Sequence, residues 1–302
     1  MTFSLDELVE VDTTPRPKSL LELLALYKAS DWYAKLAPDT AKYYDYTLQM
    51  LRTSAYAPKP IEYITPKVAL AIYKSLNTQH GAALANRSLS VFGRVFSYAV
   101  KEEWIEASPF RFVEKDTLPA RTTLWTKKQI MDTCAVAASN DYLHVSKGIM
   151  LMYETGQRPK DVLAMTFDDL QSDKNGNFIT VTQSKTGTVV CPAISPYLFT
   201  LLTLNQASEG FLVGKDIRLV DFRRHFRKVA ELAGLPNELQ LRDIRRTAIT
   251  EASRGGATQD QMKGMSGHKS RVMLDRYSVV DRQHALDAFK AREDVQNSKG
   301  VS

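Results

Sequence analysis

Cysteine is nearly absent, with Cys134 and Cys191 alone among 302 residues. Two thiols form at most one bridge, and these two lack Cys-x-x-Cys spacing, which argues against a disulfide scaffold and a cysteine zinc site. No run of about 18 apolar residues occurs, so the sequence offers no membrane-spanning helix. Met1 to Glu10 carries acids where a signal peptide needs a basic region and then an apolar one, and the expected location is the cytoplasm. Glycine and proline, 14 and 12 residues, are too sparse for a collagen-like or low-complexity chain. What remains is ordinary globular composition, 44% hydrophobic and 25% charged, long enough for two domains of about 100–200 residues each.

Forty basic residues against 34 acidic ones give a net charge of +6. The excess is concentrated. Between Ile217 and Arg276 there are 13 Lys+Arg and seven Asp+Glu, so about one fifth of the chain holds a surplus equal to the whole. A local positive field suits a polyanion, because counterion release scales with the basic groups that meet phosphate. Charge alone fits a solvated surface equally well.

Residues 1–17 read as a tail without period. From 18 to 108 the pattern is helical, with apolar spacings of three and four in four segments: a leucine-rich first one, one from near Thr40, one capped by Thr65-Pro66, and one after Gly81. Residues 109–123, with two prolines and mixed charge, read as a linker. A second domain spans 124–295, opening on the capping box Thr126-Lys127-Lys128-Gln129, and 296–302 is a second tail. Within it, Phe178 to Gln183 and Thr188 to Ile194 flank the turn Ser184-Lys185-Thr186-Gly187 and read as a β-hairpin. Helices follow at Val220 to Ala233 and at Arg242 to Ser253, and Thr258 caps another.

Three stretches could carry chemistry. Arg242, Arg245 and Arg246 lie at i, i+3 and i+4, within one helical turn of each other. Guanidinium forks match phosphate oxygens, so a bound anion would offset their repulsion; pairing to Asp243 or distant acids is the other explanation. Thr155-Gly156-Gln157-Arg158-Pro159 puts Arg158 at a helix entry, where amides favour an anion. Gly267-His268 ends a short helix, and Tyr277 follows nine residues after His268; a lone tyrosine there is as readily half-buried packing.

Thr-Gly-Gln-Arg with Asp161, the run Arg-Asp-Ile-Arg-Arg-Thr-Ala, and Gly-His-(eight residues)-Tyr stand in the order and at the separations of one family: the chain resembles the tyrosine recombinases, or phage integrases. The resemblance implies a mainly α fold with a small β-hairpin or sheet: a helical, SAM-like core-binding domain plus a mixed α/β catalytic domain. It implies a site-specific recombinase of a phage or mobile element that cuts and rejoins DNA through a 3′-phosphotyrosyl intermediate. Arg158 and Arg245 would clamp the phosphate, Tyr277 would attack, His268 would contact the phosphate, and Lys185, on a mobile turn, would protonate the departing oxygen. Asp161 would orient Arg158, while Arg246 and Lys269 would bind DNA. No metal or cofactor is implied. The partners would be double-stranded DNA, further copies in a homotetramer on two sites, and accessory DNA-bending proteins, in a prokaryotic cytoplasm and on the nucleoid when DNA-bound.

One position departs from the family pattern. Arg242 stands where most members have histidine, and an arginine donates to phosphate but cannot take a proton. His268, or water, is then expected to accept the phenolic proton. Leu286 and Phe289 share a face of a C-terminal helix that could dock on its own chain or a neighbour's. Two rival readings are a DNA-binding module without strand-transfer activity and a metal-dependent nuclease built on Asp168, Asp169 and Asp173. The first would form no covalent adduct, and the second would stop in EDTA.

Overall fold

Ser19 and Glu22 form a reciprocal capping box that starts α1 (Leu20–Ala29). The computed structural model describes residues 18–204, 209–215, 217–270, 274, 286, 289–290 and 292–293. A one-turn α2 (Asp31–Ala34) follows, then α3 (Pro38–Arg52), α4 (Pro66–His80) and α5 (Ala82–Lys101). Thr65 caps α4 as its sequence predicts, and Gly81 separates α4 from α5 at φ +82°, a value glycine adopts without strain. The apolar stripes of these helices meet in one core, where Leu20, Leu23, Tyr27, Phe92 and Phe96 are fully buried. That core is the first of two compact units, which divide at Ala120 and Arg121.

The linker expected at 109–123 is mostly not a linker. Pro109–Phe112 forms a 3-10 turn, and Phe110 is buried against Phe92 and Phe96 at centroid distances of 5.5 and 4.9 Å. Proline fixes the entry to this turn without ending the packing. Further on, the Asp116 amide donates to Tyr73 Oη at 2.8 Å, and Arg121 chelates Asp243 inside the second unit. Only 117–120 lies between these anchors.

The second unit is organised on α7 (Leu143–Thr155), in which every residue from Val145 to Met152 is buried. Buried on every face, Ser146 and Lys147 included, this helix is the centre of the unit. It is packed by α6 (Lys127–Ser139), α9 (Pro196–Thr203), α10 (Leu219–Leu232) and α11 (Leu241–Arg254). The Thr126/Gln129 capping box begins α6, and a Thr258/Gln261 box begins α12 (Gln259–Ser266). Trp125 donates its amide to Thr247 Oγ1 at 2.8 Å, which fixes the entry of the unit against α11.

Between α8 (Pro159–Leu163) and α9 run five short strands: β1 (Leu170–Asp173), β2 (Gly176–Ile179), β3 (Val181–Thr182), β4 (Val189–Val190) and β5 (Ala193–Ile194). The expected hairpin is present but divided. β3 pairs β4 with Val181 opposite Val190, while β2 pairs β5 with Phe178 opposite Ala193, and β1 extends that ladder antiparallel. The observed class is mainly helical with a small antiparallel sheet, as expected. Leu286 and Phe289 are helical and exposed; most of that C-terminal segment lies outside the described residues.

Candidate active site

Four segments of the second unit converge on one cluster: the α7–α8 junction, the β3–β4 turn, the middle of α11 and the end of α12. Gly156 makes the first possible. It closes α7 in the left-handed conformation at φ +63°, turning the chain so that Arg158 becomes the N-cap of α8 with Pro159 first in the helix. Arg245, 7% exposed, donates through Nη1 to the Gly156 carbonyl at 2.7 Å and through Nη2 to the Ser266 carbonyl at 2.9 Å. Its Nη2 lies 3.4 and 3.3 Å from the two ring nitrogens of His268. His268 Nδ1 is 2.6 Å from Ser266 Oγ.

Arg158 is partly exposed. Its Nη1 donates to Gln183 Oε1 at 3.2 Å and stands 3.6 Å from Asp161 Oδ2. Asp161 is buried, and its Oδ1 accepts from the Ser184 amide at 2.9 Å and from Ser184 Oγ at 2.7 Å. Its Oδ2 has no hydrogen bond, so the arginine is its nearest compensation. Burial, then the Arg245 charge, then the Arg158 charge push His268 down to about 4. The ring is therefore neutral near pH 7 and keeps a nitrogen able to accept a proton.

Lys185 is exposed, on a turn held by several hydrogen bonds. Ser184 is held by Asp161, Thr186 Oγ1 donates to Gln183 Oε1 at 3.0 Å, and the Lys269 ammonium donates to the Thr186 carbonyl at 2.9 Å. Lys269, assigned to DNA by resemblance, thus ties α12's exit to this turn. Arg242 is exposed and lines a hollow with Pro159, Arg223, Phe226, Arg227, Gln240 and Leu241. Arg246 is half-buried on the same helix. Asp243, the acid offered as a partner for these arginines, is taken by Arg121 at 2.6 Å. Tyr277 lies outside the described residues.

The motifs did not single out Gln183 or Ser266, and gave no role to Gln157. Gln183 Nε2 donates to Gln157 Oε1 and to the Ser266 carbonyl, both at 2.7 Å. Gln157 Nε2 in turn holds the Met265 carbonyl at 2.7 Å. A signal existed for Gln183, since strand alternation puts it on the same face as buried Val181. The acids of the rival nuclease reading serve turns: Asp169 Oδ2 accepts from the Thr166 amide, and Asp173 Oδ1 accepts from the amides of Asn175 and Gly176. Among the described residues no three metal-ligating side chains come together, and no helix is long and apolar enough to cross a membrane.

Comparison with known proteins adds to this geometry. The chain is 24% identical over 170 residues to tyrosine recombinase XerC of Corynebacterium efficiens, a match spanning 54% of each chain and so about half the length of that relative. In fold it is similar to a lambda integrase dimer bound to a COC' core site, with TM-score 0.73 and 20% identity over 86% of this chain and 77% of that one. It is likewise similar to the Tn1549 transposon integrase in complex with circular intermediate DNA, with TM-score 0.73 and 15% identity over 90% and 99%. A lambda integrase tetramer bound to a Holliday junction gives 0.70 at 18% identity over 88% and 84%. The model of the phage integrase family matches residues 122–284, more than half of the chain, and the protein belongs to that family.

Proposed function

We propose that the protein is a site-specific DNA recombinase that breaks and rejoins strands by transesterification at a tyrosine. The observation that carries the reading is the meeting of Arg158, Arg245 and His268, three groups from distant parts of the sequence, around one buried amide. Two guanidinium groups and a neutral imidazole suit a phosphodiester. The arginines offset charge that grows on the non-bridging oxygens as phosphorus becomes five-coordinate, and a neutral ring can take a proton.

In this reading the Tyr277 oxygen forms a bond to phosphorus as the bond from phosphorus to the 5′ oxygen breaks. A phenol ionises near pH 10, so its proton must leave during attack. Arg242 cannot accept it, and His268 or water does. The 5′ oxygen takes a proton from the Lys185 ammonium and leaves as an alcohol. The phosphotyrosyl bond conserves the energy of the broken linkage, and a second 5′ hydroxyl reverses the step on a partner strand. Arg242 and Arg246 add phosphate contacts beside the clamp, and four copies acting on two duplex sites fit an exchange of two pairs of strands. Accessory DNA-bending proteins and a nucleoid location belong to the same proposal.

A library of duplexes nicked near the cut site tests it. The nick lets the short 5′ fragment diffuse away, so covalent protein–DNA adduct accumulates. The wild-type chain is expected to form adduct and Tyr277→Phe none, with DNA binding retained in both. Binding without adduct in the wild type would leave only a DNA-binding module.

A further inference from the structure

We infer that Gln183 is a positioning residue that sets the Lys185 turn against the arginine clamp; the inference rests on the recombinase reading above. Gln183 is completely buried, yet it is polar. A primary amide has two donor hydrogens and two acceptor sites, and here all four are used. Oε1 accepts from Arg158 Nη1 and Thr186 Oγ1, while Nε2 donates to Gln157 Oε1 and the Ser266 carbonyl. A guanidinium only donates and a carbonyl only accepts, so these partners fix which end of the amide is which.

The connections reach each part of the proposed chemistry. Arg158 is touched directly. Arg245 is reached through the Ser266 carbonyl that both side chains use, and His268 through Ser266 Oγ. The Lys185 turn is gripped twice, by the side chain through Thr186 Oγ1 and by the main chain. The Gln183 carbonyl accepts from the Thr186 and Gly187 amides, and its own amide donates to the Thr188 carbonyl. Room for the amide comes from Gly267, where a Cβ would stand 2.4 Å from Gln183 Nε2. Glutamate would turn a carboxylate toward two oxygen acceptors, and an apolar side chain would strand Gln157, Ser266 and Arg158 together.

A merely structural glutamine and one that positions the proton donor differ in their response to the leaving group. A duplex with a 5′-bridging sulfur at the scissile phosphate expels a thiolate, which departs without protonation, so a misplaced Lys185 costs nothing there. In the intact chain, Gln183→Met is expected to slow adduct formation on the oxygen duplex by tenfold or more. On the sulfur duplex the loss is smaller, so the sulfur-to-oxygen rate ratio should rise severalfold above wild type, as is also expected for Lys185→Ala. Thr186→Val cuts the side-chain grip alone, leaves the other three bonds of Gln183, and should raise the same ratio even if Gln183→Met does not fold. Ratios equal to wild type in the folded variants, or an unchanged rate on oxygen, would overturn the inference while leaving the recombinase reading intact. Absence of adduct from wild type on either duplex would remove both.

Discussion

A histidine buried beside two arginines holds its proton less firmly than a free one, because burial and then their charges disfavour the cation, and this couples the site to the stability of the fold. His268 titrates near 6.5 in an unfolded chain and at about 4 in the folded one. Between those values the unfolded chain binds the extra proton. The contribution is therefore complete above pH 6.5, falls as the pH drops toward 4, and levels off below, at roughly 1 kcal/mol per pH unit within the window. Urea midpoints measured from pH 7 to 4.5 should fall more steeply for wild type than for His268→Asn, whose amide does not titrate. Parallel curves would mean that the ring carries no depressed proton affinity. Arg158, Arg245 and His268 were readable in the sequence because each sits in a motif with its own spacing. Gln183 was not, because glutamine is equally common on a wet face and only its strand register marks it as buried. Nor does the sequence show that the Lys269 ammonium reaches the Thr186 carbonyl, a contact that uses one of its three donor hydrogens.

Elements with a cap were legible where they begin. Thr65, Thr126 and Thr258 each begin the helix that they announce, since the hydroxyl that meets an orphan amide is visible in the sequence. Short elements were not. β1, Leu-Gln-Ser-Asp, has no alternation of its own and exists because β2 supplies its hydrogen bonds. The one-turn α2 is too brief to show a period. The contact between α7 and α10 also escapes the sequence, although it depends on a single missing atom. A Cβ on Gly148 would stand 2.5 Å from Phe222 Cζ, in a helix where Gly otherwise only lowers helical propensity. Gly148→Ala should therefore destabilise the second unit by about 1–3 kcal/mol, the cost of overpacking, against the gain of up to ~1 kcal/mol that the same change brings in an open helix. Phe222→Leu should relieve part of it, so a double-mutant cycle in urea should show positive coupling. Additive effects would mean that the helices separate without strain.

At the scale of the whole chain, two cores with no buried residue in common sit on either side of Ala120 and Arg121. Prolines and a change in charge pattern drew attention to this region, but they overstated the connection. They report local backbone preference, whereas Phe110 and Arg121 are held by partners outside the segment. Each unit closes its own core, so the pieces Met1–Ala120 and Arg121–Ser302 should each unfold in a single cooperative transition. The second piece holds every residue to which a chemical role is assigned. It should form the tyrosyl adduct on a nicked duplex at saturating DNA with a rate near that of the intact chain. Its affinity should be weaker, because joining two DNA-contacting units turns the second encounter into an intramolecular one, worth about a hundredfold or more. The slope of log affinity against log salt should also be shallower for the piece, in proportion to the phosphates the first unit neutralises. Filter binding across 50–200 mM salt, beside adduct rates at saturation, measures both quantities. Equal affinity and slope for the piece and the intact chain would show that the first unit makes no contact with DNA, whereas a folded piece that binds DNA but forms no adduct would place part of the chemistry before Arg121.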